Sequence, residues 1–151
     1  MRRVLRRLFT LLAGISIVLL LAGNLLPAAA EPAGAEKRAF VTVAGAPGDG
    51  EKALAAAVSR RLAKAGIKEA TAFEASIYEI QGTVRVTPAS GNKDKVRIVW
   101  VVFSPDGRQL GVVSQARFIR KGSLDRTWGG AADAAAQGAV AEIVKLLPRA
   151  E

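Results

Sequence analysis

Between residues 78 and 87, two classes of side chain alternate without a break. Tyr78, Ile80, Gly82, Val84 and Val86 fall on one side of an extended chain. Glu79, Gln81, Thr83, Arg85 and Thr87 fall on the other. Only a period of two separates them in this way, because successive strand side chains point to opposite faces. A strand that is apolar on one side and wet on the other belongs to a sheet covered on a single face. The fold must therefore supply a layer for that apolar face.

The neighbouring segments extend the pattern. Residues 88–94 contain Ser90, Gly91 and Asn92 and predict a turn that includes Asp94. Val96, Ile98, Trp100 and Val102 then alternate with Arg97, Val99, Val101 and Phe103. Both faces become apolar towards the end, as in a central strand. Ser104-Pro105-Asp106-Gly107 has proline second and glycine fourth, the pattern of a type I turn. Leu110, Val112, Ser114, Ala116 and Phe118 return as a third strand of an antiparallel meander.

Two helices flank the meander. After a first strand over 39–43, Gly45, Pro47, Gly48 and Gly50 break the chain, and Asp49 stands where a helix cap belongs. Leu54, Val58 and Leu62 recur every four residues in a helix over 51–65, which Gly66 stops. Residues 68–74 read as a short edge strand or a loop. Trp128, Ala132, Ala135, Ala139, Ile143 and Leu146 mark the apolar stripe of a last helix over 127–147, ended by Pro148. The expected class is α+β: a two-layer sandwich with a mostly antiparallel three- to four-stranded sheet and two helices on one face, in the order β-α-β-β-β-α.

Residues 1–30 predict an address rather than a fold. Arg2, Arg3, Arg6 and Arg7 precede an apolar run over 8–26, and Pro27 leads into Ala28-Ala29-Ala30. A positive head, an apolar middle and a small-residue tail make a secretory signal peptide. The expected organisation is a signal over 1–30, a loose leader over 31–38 and a single domain over 39–151. The expected location is periplasmic or secreted. The alternative is an inner-membrane anchor formed by uncleaved residues 8–26, a run long enough to span a bilayer. Removing the leader takes away four basic residues and no acidic one, so the formal net charge falls from +9 to +5.

Missing residue types exclude several chemistries. The chain has neither cysteine nor histidine. Disulfides, Cys/His zinc sites, Ser-His-Asp triads and histidine acid–base catalysis all drop out. Asp49, Glu51, Glu74, Glu79, Asp94, Asp106, Asp125, Asp133 and Glu142 supply carboxylates, but nothing in their spacing sets two across a cleft. The glycine-rich run 45–50 lacks the Gly-Lys-Ser/Thr ending of a phosphate loop and carries Asp49, with Glu51 next to it, so it reads as a strand-to-helix turn. Gly129 and Gly130 are unusual at a helix start, where each costs about 1 kcal/mol against alanine. They read as a site of close helix–sheet contact, or else as a flexible, exposed edge that a partner grips. No enzyme, cofactor or metal site is expected.

One surface remains as a candidate for function. If both helices cover one side of the sheet, the other side carries Glu79, Gln81, Arg85, Arg97, Val99, Val101 and Arg117, with Gln109 and Phe103 nearby. An apolar centre among arginines and glutamines suits a protein partner. The mild basic excess, scattered rather than striped, argues against nucleic acid and leaves an anionic lipid or polysaccharide as a second type of partner.

The helix Lys52–Gly66, the strand Tyr78–Val84, the strand Val96–Val102, the Asp106-Gly107 turn, the return at Leu110-Gly111 and the closing alanine-rich helix occur in an order that resembles the amino-terminal α/β domain of the TolB family. The order is also similar to that of anticodon-binding-type modules and of small uncharacterised envelope proteins and lipoproteins of proteobacteria. The resemblance spans 41–147 and implies a non-catalytic α/β module of the cell envelope that binds another envelope protein. It implies no individual site residue.

Overall fold

The sheet is built around its two most apolar strands. The computed structural model describes residues 36–148; the expected signal over 1–30 and most of the expected leader lie outside the described residues. In chain order the elements are β1 (Arg38–Ala44), α1 (Gly50–Lys64), β2 (Lys68–Glu69), β3 (Tyr78–Ala89), β4 (Lys93–Phe103), β5 (Gln109–Arg120) and α2 (Gly129–Leu146). The strands lie in the order β2-β1-β3-β4-β5. β1 runs parallel to both β2 and β3, and the last three strands form the antiparallel meander.

The class is the expected α+β, with both helices on one face. The sheet has five strands rather than three or four, and it is mixed. The extra strand is the two-residue β2, held by Lys68 N–H to Lys37 O and Ala70 N–H to Ala39 O. α1 carries the chain from β1 back to a parallel partner, which is what a crossover helix does. The β3–β4 turn is tighter than its composition suggests. Both strands run on until only Ser90, Gly91 and Asn92 remain, with Gly91 and Asn92 at φ 68° and 53°. Asp94 is therefore a residue of β4, not of a turn. It is buried, and it accepts a hydrogen bond from Gly122 N–H at 3.0 Å.

The core lies between the sheet and the helices. Trp100, Leu54, Leu62, Ile80, Ile143, Val58 and Val102 are its largest fully buried side chains. Each contributes about 1.5–3 kcal/mol by leaving water. Trp100 is possible only because its cross-strand partner is Gly82. A Cβ on Gly82 would stand 2.5 Å from the indole Cζ3, so the ring lies flat across bare backbone. α2 begins at Gly129, two residues later than expected, and its stripe is rotated slightly. Ala136 and Val140 are buried in it, whereas Ala135 and Leu146 are half-buried.

The glycine-rich loop closes this core. Asp49 N–H donates to Arg126 O at 2.9 Å, and the Trp128 indole N–H donates to Pro47 O at 2.9 Å. The Asp49 carboxylate does not cap its own helix. It accepts the Trp128 backbone N–H at the start of α2 instead. Glu51 turns back to accept Gly45 N–H at 2.8 Å. A Cβ on Gly50 would fall 2.4 Å from the Trp128 ring. Both carboxylates are thus spent on backbone N–H groups, and the loop is a structural clasp between the starts of the two helices.

Candidate functional site: the uncovered sheet face

Strand register assigns every side chain to a face. Opposite residues share a side, so the ladders give cross-sheet rows. On the face away from the helices these rows are Phe40–Glu79–Phe103–Gln109, then Thr42–Gln81–Val101–Val112, then Ala44–Thr83–Val99–Ser114, then Arg85–Arg97–Ala116, and last Thr87–Lys95–Phe118. Among the described residues no helix packs on this face; both helices contribute to the core on the opposite side.

The rows differ in chemistry. Val99, Val101 and Phe103 are half-buried at the centre, Val112 extends the apolar patch outward with 50% of its surface exposed, and Phe118, 60% exposed, stands apart beyond the arginine row. At one end Gln81 donates to the Glu79 carboxylate at 2.8 Å. At the other end Arg85 and Arg97 stand directly opposite one another, both exposed, with Lys95 on the next row. Lys95 Nζ lies 6.0 Å from the Phe118 ring centroid, at the limit of a cation–π contact. Among the described residues neither arginine is in an ion pair. Like charges directly opposite on a sheet are destabilising by some tenths of a kcal/mol. The fold keeps such a pair beside an apolar patch.

Six of the seven expected surface residues lie together here: Glu79, Gln81, Arg85, Arg97, Val99 and Val101. Arg117 does not. It is opposite Val96, on the helix-covered side. The reason is a bulge. Phe103 pairs with Gln109 and Val102 with Gly111, so Leu110 is an extra residue in β5. One inserted residue reverses the alternation that follows it. Gln109 therefore stays on the open face while Arg117, of the same parity, crosses to the other. For the same reason the alternation read from Gln109 misses Val112 and Phe118 as members of the open face. Locating the bulge would have revealed them.

Arg117 instead edges a cavity of about 410 Å³ between α2 and the β4–β5 strands. Val96, Ile98, Ile119, Leu124 and Trp128 line it with the small residues of α2. Gln115 crosses it to donate to Ala135 O at 3.2 Å. Among the described residues that line it, the polar side chains are the Gln115 amide, the exposed Arg117 guanidinium and Trp128, whose indole N–H is bonded to Pro47 O. Among the described residues no three acidic side chains gather as a cation site, and no helix is long and apolar enough to cross a membrane.

No protein-family model matches this chain, and no curated protein does. Among solved structures it is similar to a minor lipoprotein from Acinetobacter baumannii, 14% identical with a TM-score of 0.44 over 76% of this chain and 98% of that one. It is also similar to an uncharacterized protein, 12% identical with a TM-score of 0.45 over 74% and 90% of the two chains. A third such structure is the lipoprotein GNA1162 from Neisseria meningitidis, 11% identical with a TM-score of 0.45 over 72% and 99%. At these identities no residue's role passes from them to this chain.

Proposed function

We propose that this protein is a non-catalytic binding module of the bacterial cell envelope, exported by its leader, that docks a partner protein on the uncovered sheet face. The observation that carries this reading is the juxtaposition of the Val99–Val101–Val112 patch with the Arg85–Arg97 pair. An apolar centre with a charged rim is how a specific protein interface is built. The rim of this one is basic at one end and acidic at the other, which orients a partner as well as attracting it.

The leader supports an extracytoplasmic location. The absence of histidine and cysteine, and the use of Asp49, Glu51 and Asp94 as backbone acceptors, support a role without catalysis. The element order, which resembles that of the TolB-type domain, agrees with a docking module.

The opposed arginines favour a second reading, an anionic envelope ligand such as lipopolysaccharide or polysaccharide, because a bridging anion relieves their repulsion. One experiment separates the two. Envelopes of cells producing the full chain are crosslinked, and the protein is recovered at low and high salt, alongside V101D and R85Q/R97Q forms. A stoichiometric protein partner lost in V101D and retained at high salt supports docking. Binding lost in R85Q/R97Q and at high salt, with V101D unaffected, supports the anionic ligand. Recovery of neither overturns the assignment of this face.

A further inference from the structure

Among the described residues, the outer edge of β5 is the longest unpaired stretch of backbone in the sheet, and its chemistry is self-complementary. β5 is twelve residues long and lies last in the strand order, whereas the opposite edge, β2, has two. The direction of its hydrogen bonds follows from the register. Lys121 N–H donates to Asn92 O just past the end of the β4–β5 ladder. Bonded pairs recur every second residue in an antiparallel ladder, so the odd-numbered residues of β5 after the bulge bond inward to β4. Val112, Ser114, Ala116, Phe118 and Arg120 therefore present their N–H and C=O groups outward.

These residues also hold two of the three large apolar side chains exposed among the described residues, Val112 and Phe118. Natural sheets blunt such edges with charge, proline or cover. From 111 to 116, Gly-Val-Val-Ser-Gln-Ala, this edge has none of these.

The geometry points to an antiparallel homodimer in which β5 pairs with β5 of a second copy about a two-fold axis through Gln115, joining the two sheets into one. Val112 belongs also to the docking patch proposed above, so the dimer and a partner on the open face share that side chain. In this register Val112 meets Phe118 of the second copy, and Phe118 meets its Val112, so both exposed apolar side chains are covered twice over. Ser114 meets Ala116, and Arg117 meets Val113, with no like charges opposed. Moving the axis to Ala116 sets Val112 against Arg120 and leaves Phe118 opposite Ser114. Moving it to Arg117 opposes the two guanidiniums.

The helix layer fits the same axis. Gly138 of α2 lies over Gln115, whose Nε2 is within 2.6 Å of where a glycine Cβ would be. Ala134, Gly138 and Ala141 are exposed on α2 at spacings of four and three. Small residues at the axis let α2 and its symmetry mate pass closely. Gln115 Oε1, buried without a partner among the described residues, comes within reach of the opposite Gln115 amide.

The absence of native cysteine makes the test direct. Gln115→Cys is introduced into the full chain, and the exported protein is oxidised mildly. Residues opposite at a non-hydrogen-bonded pair have Cβ atoms about 4.5–5.5 Å apart, near the separation a disulfide needs. The expected result is an interchain disulfide formed at least tenfold faster in Q115C than in A116C or S114C, which would self-pair only in the neighbouring registers. Ser114→Pro serves as the second variant. It removes one outward N–H and no inward one, so its circular dichroism should match the parent and its melt stay cooperative, at a lower temperature that no longer depends on concentration, while its mass by light scattering falls from dimer to monomer. A parent that stays monomeric at tens of micromolar overturns the proposal, as does preferential crosslinking of A116C or S114C.

Discussion

The Asp49 carboxylate accepts a hydrogen bond from the backbone N–H of Trp128 across 2.8 Å and 79 positions of sequence. A residue placed to cap one helix satisfies the start of another. This ties the Gly45–Gly50 loop to the segment before α2. Replacing Asp49 with alanine leaves that N–H without its acceptor and should cost about 1–2 kcal/mol, the range of a lost helix cap. Asparagine keeps an acceptor oxygen and should cost less than half as much. Urea titration of both variants measures the difference, and equal losses would show that the charge rather than the hydrogen bond matters.

Gly82→Ala should destabilise by about 1–3 kcal/mol through overpacking against Trp100. The clash is with the outer ring of the indole, at Cζ3, Cε3 and Cη2. Trp100→Phe removes that outer ring, so the double variant should lose less than the sum of the two single losses. A double-mutant cycle in denaturant tests this, and strict additivity would refute the contact.

Arg85→Gln or Arg97→Gln should stabilise the isolated protein by about 0.2–1 kcal/mol, because either change relieves the opposed charges. The gain should shrink as salt rises, since both guanidiniums are exposed. Thermal melts at two ionic strengths provide the measurement. A loss of stability in both variants would mean that the arginines are not in repulsion.

Asp106 titrates below the usual carboxylate range because the Ser104 hydroxyl, and then the Arg108 backbone N–H, donate to its ionised form. A group with a depressed folded-state pKa adds stability that is complete above its unfolded value, near 3.9. That stability disappears as pH falls through the lower folded value. Asp106→Asn should therefore lower stability at neutral pH, where the ionised contact is complete, and flatten the acid limb of the stability profile below about pH 4, where parent and variant converge. Melts between acidic and neutral pH test this, and an unaltered acid limb would show that the hydroxyl contact is absent in solution.

Much of this protein is set locally and can be read directly from the sequence. The alternation over 78–87 fixes β3 and the sidedness of the sheet, and leucine and valine every four residues fix α1. Ser104-Pro105-Asp106-Gly107 fixes a turn whose Gly107 N–H does reach Ser104 O, at 2.9 Å. Six of the seven surface residues follow from the alternation over 78–87 and that over 96–103, three from each. Each of these rests on interactions within a few residues, so the local pattern is sufficient.

What remained was decided at long range. Parallel pairing of β1 with both neighbours depends on where α1 returns the chain. The two-residue β2 exists because Lys37 and Ala39 offer it carbonyl groups. The side on which Arg117 lies depends on one extra residue at Leu110, and a bulge has no composition of its own when glycine is not its first residue. The partners of Asp49 and Trp128 meet only after the helices have packed. A periodic pattern states which residues share a face, but only the assembled sheet determines which face meets the helices and which is left uncovered by them.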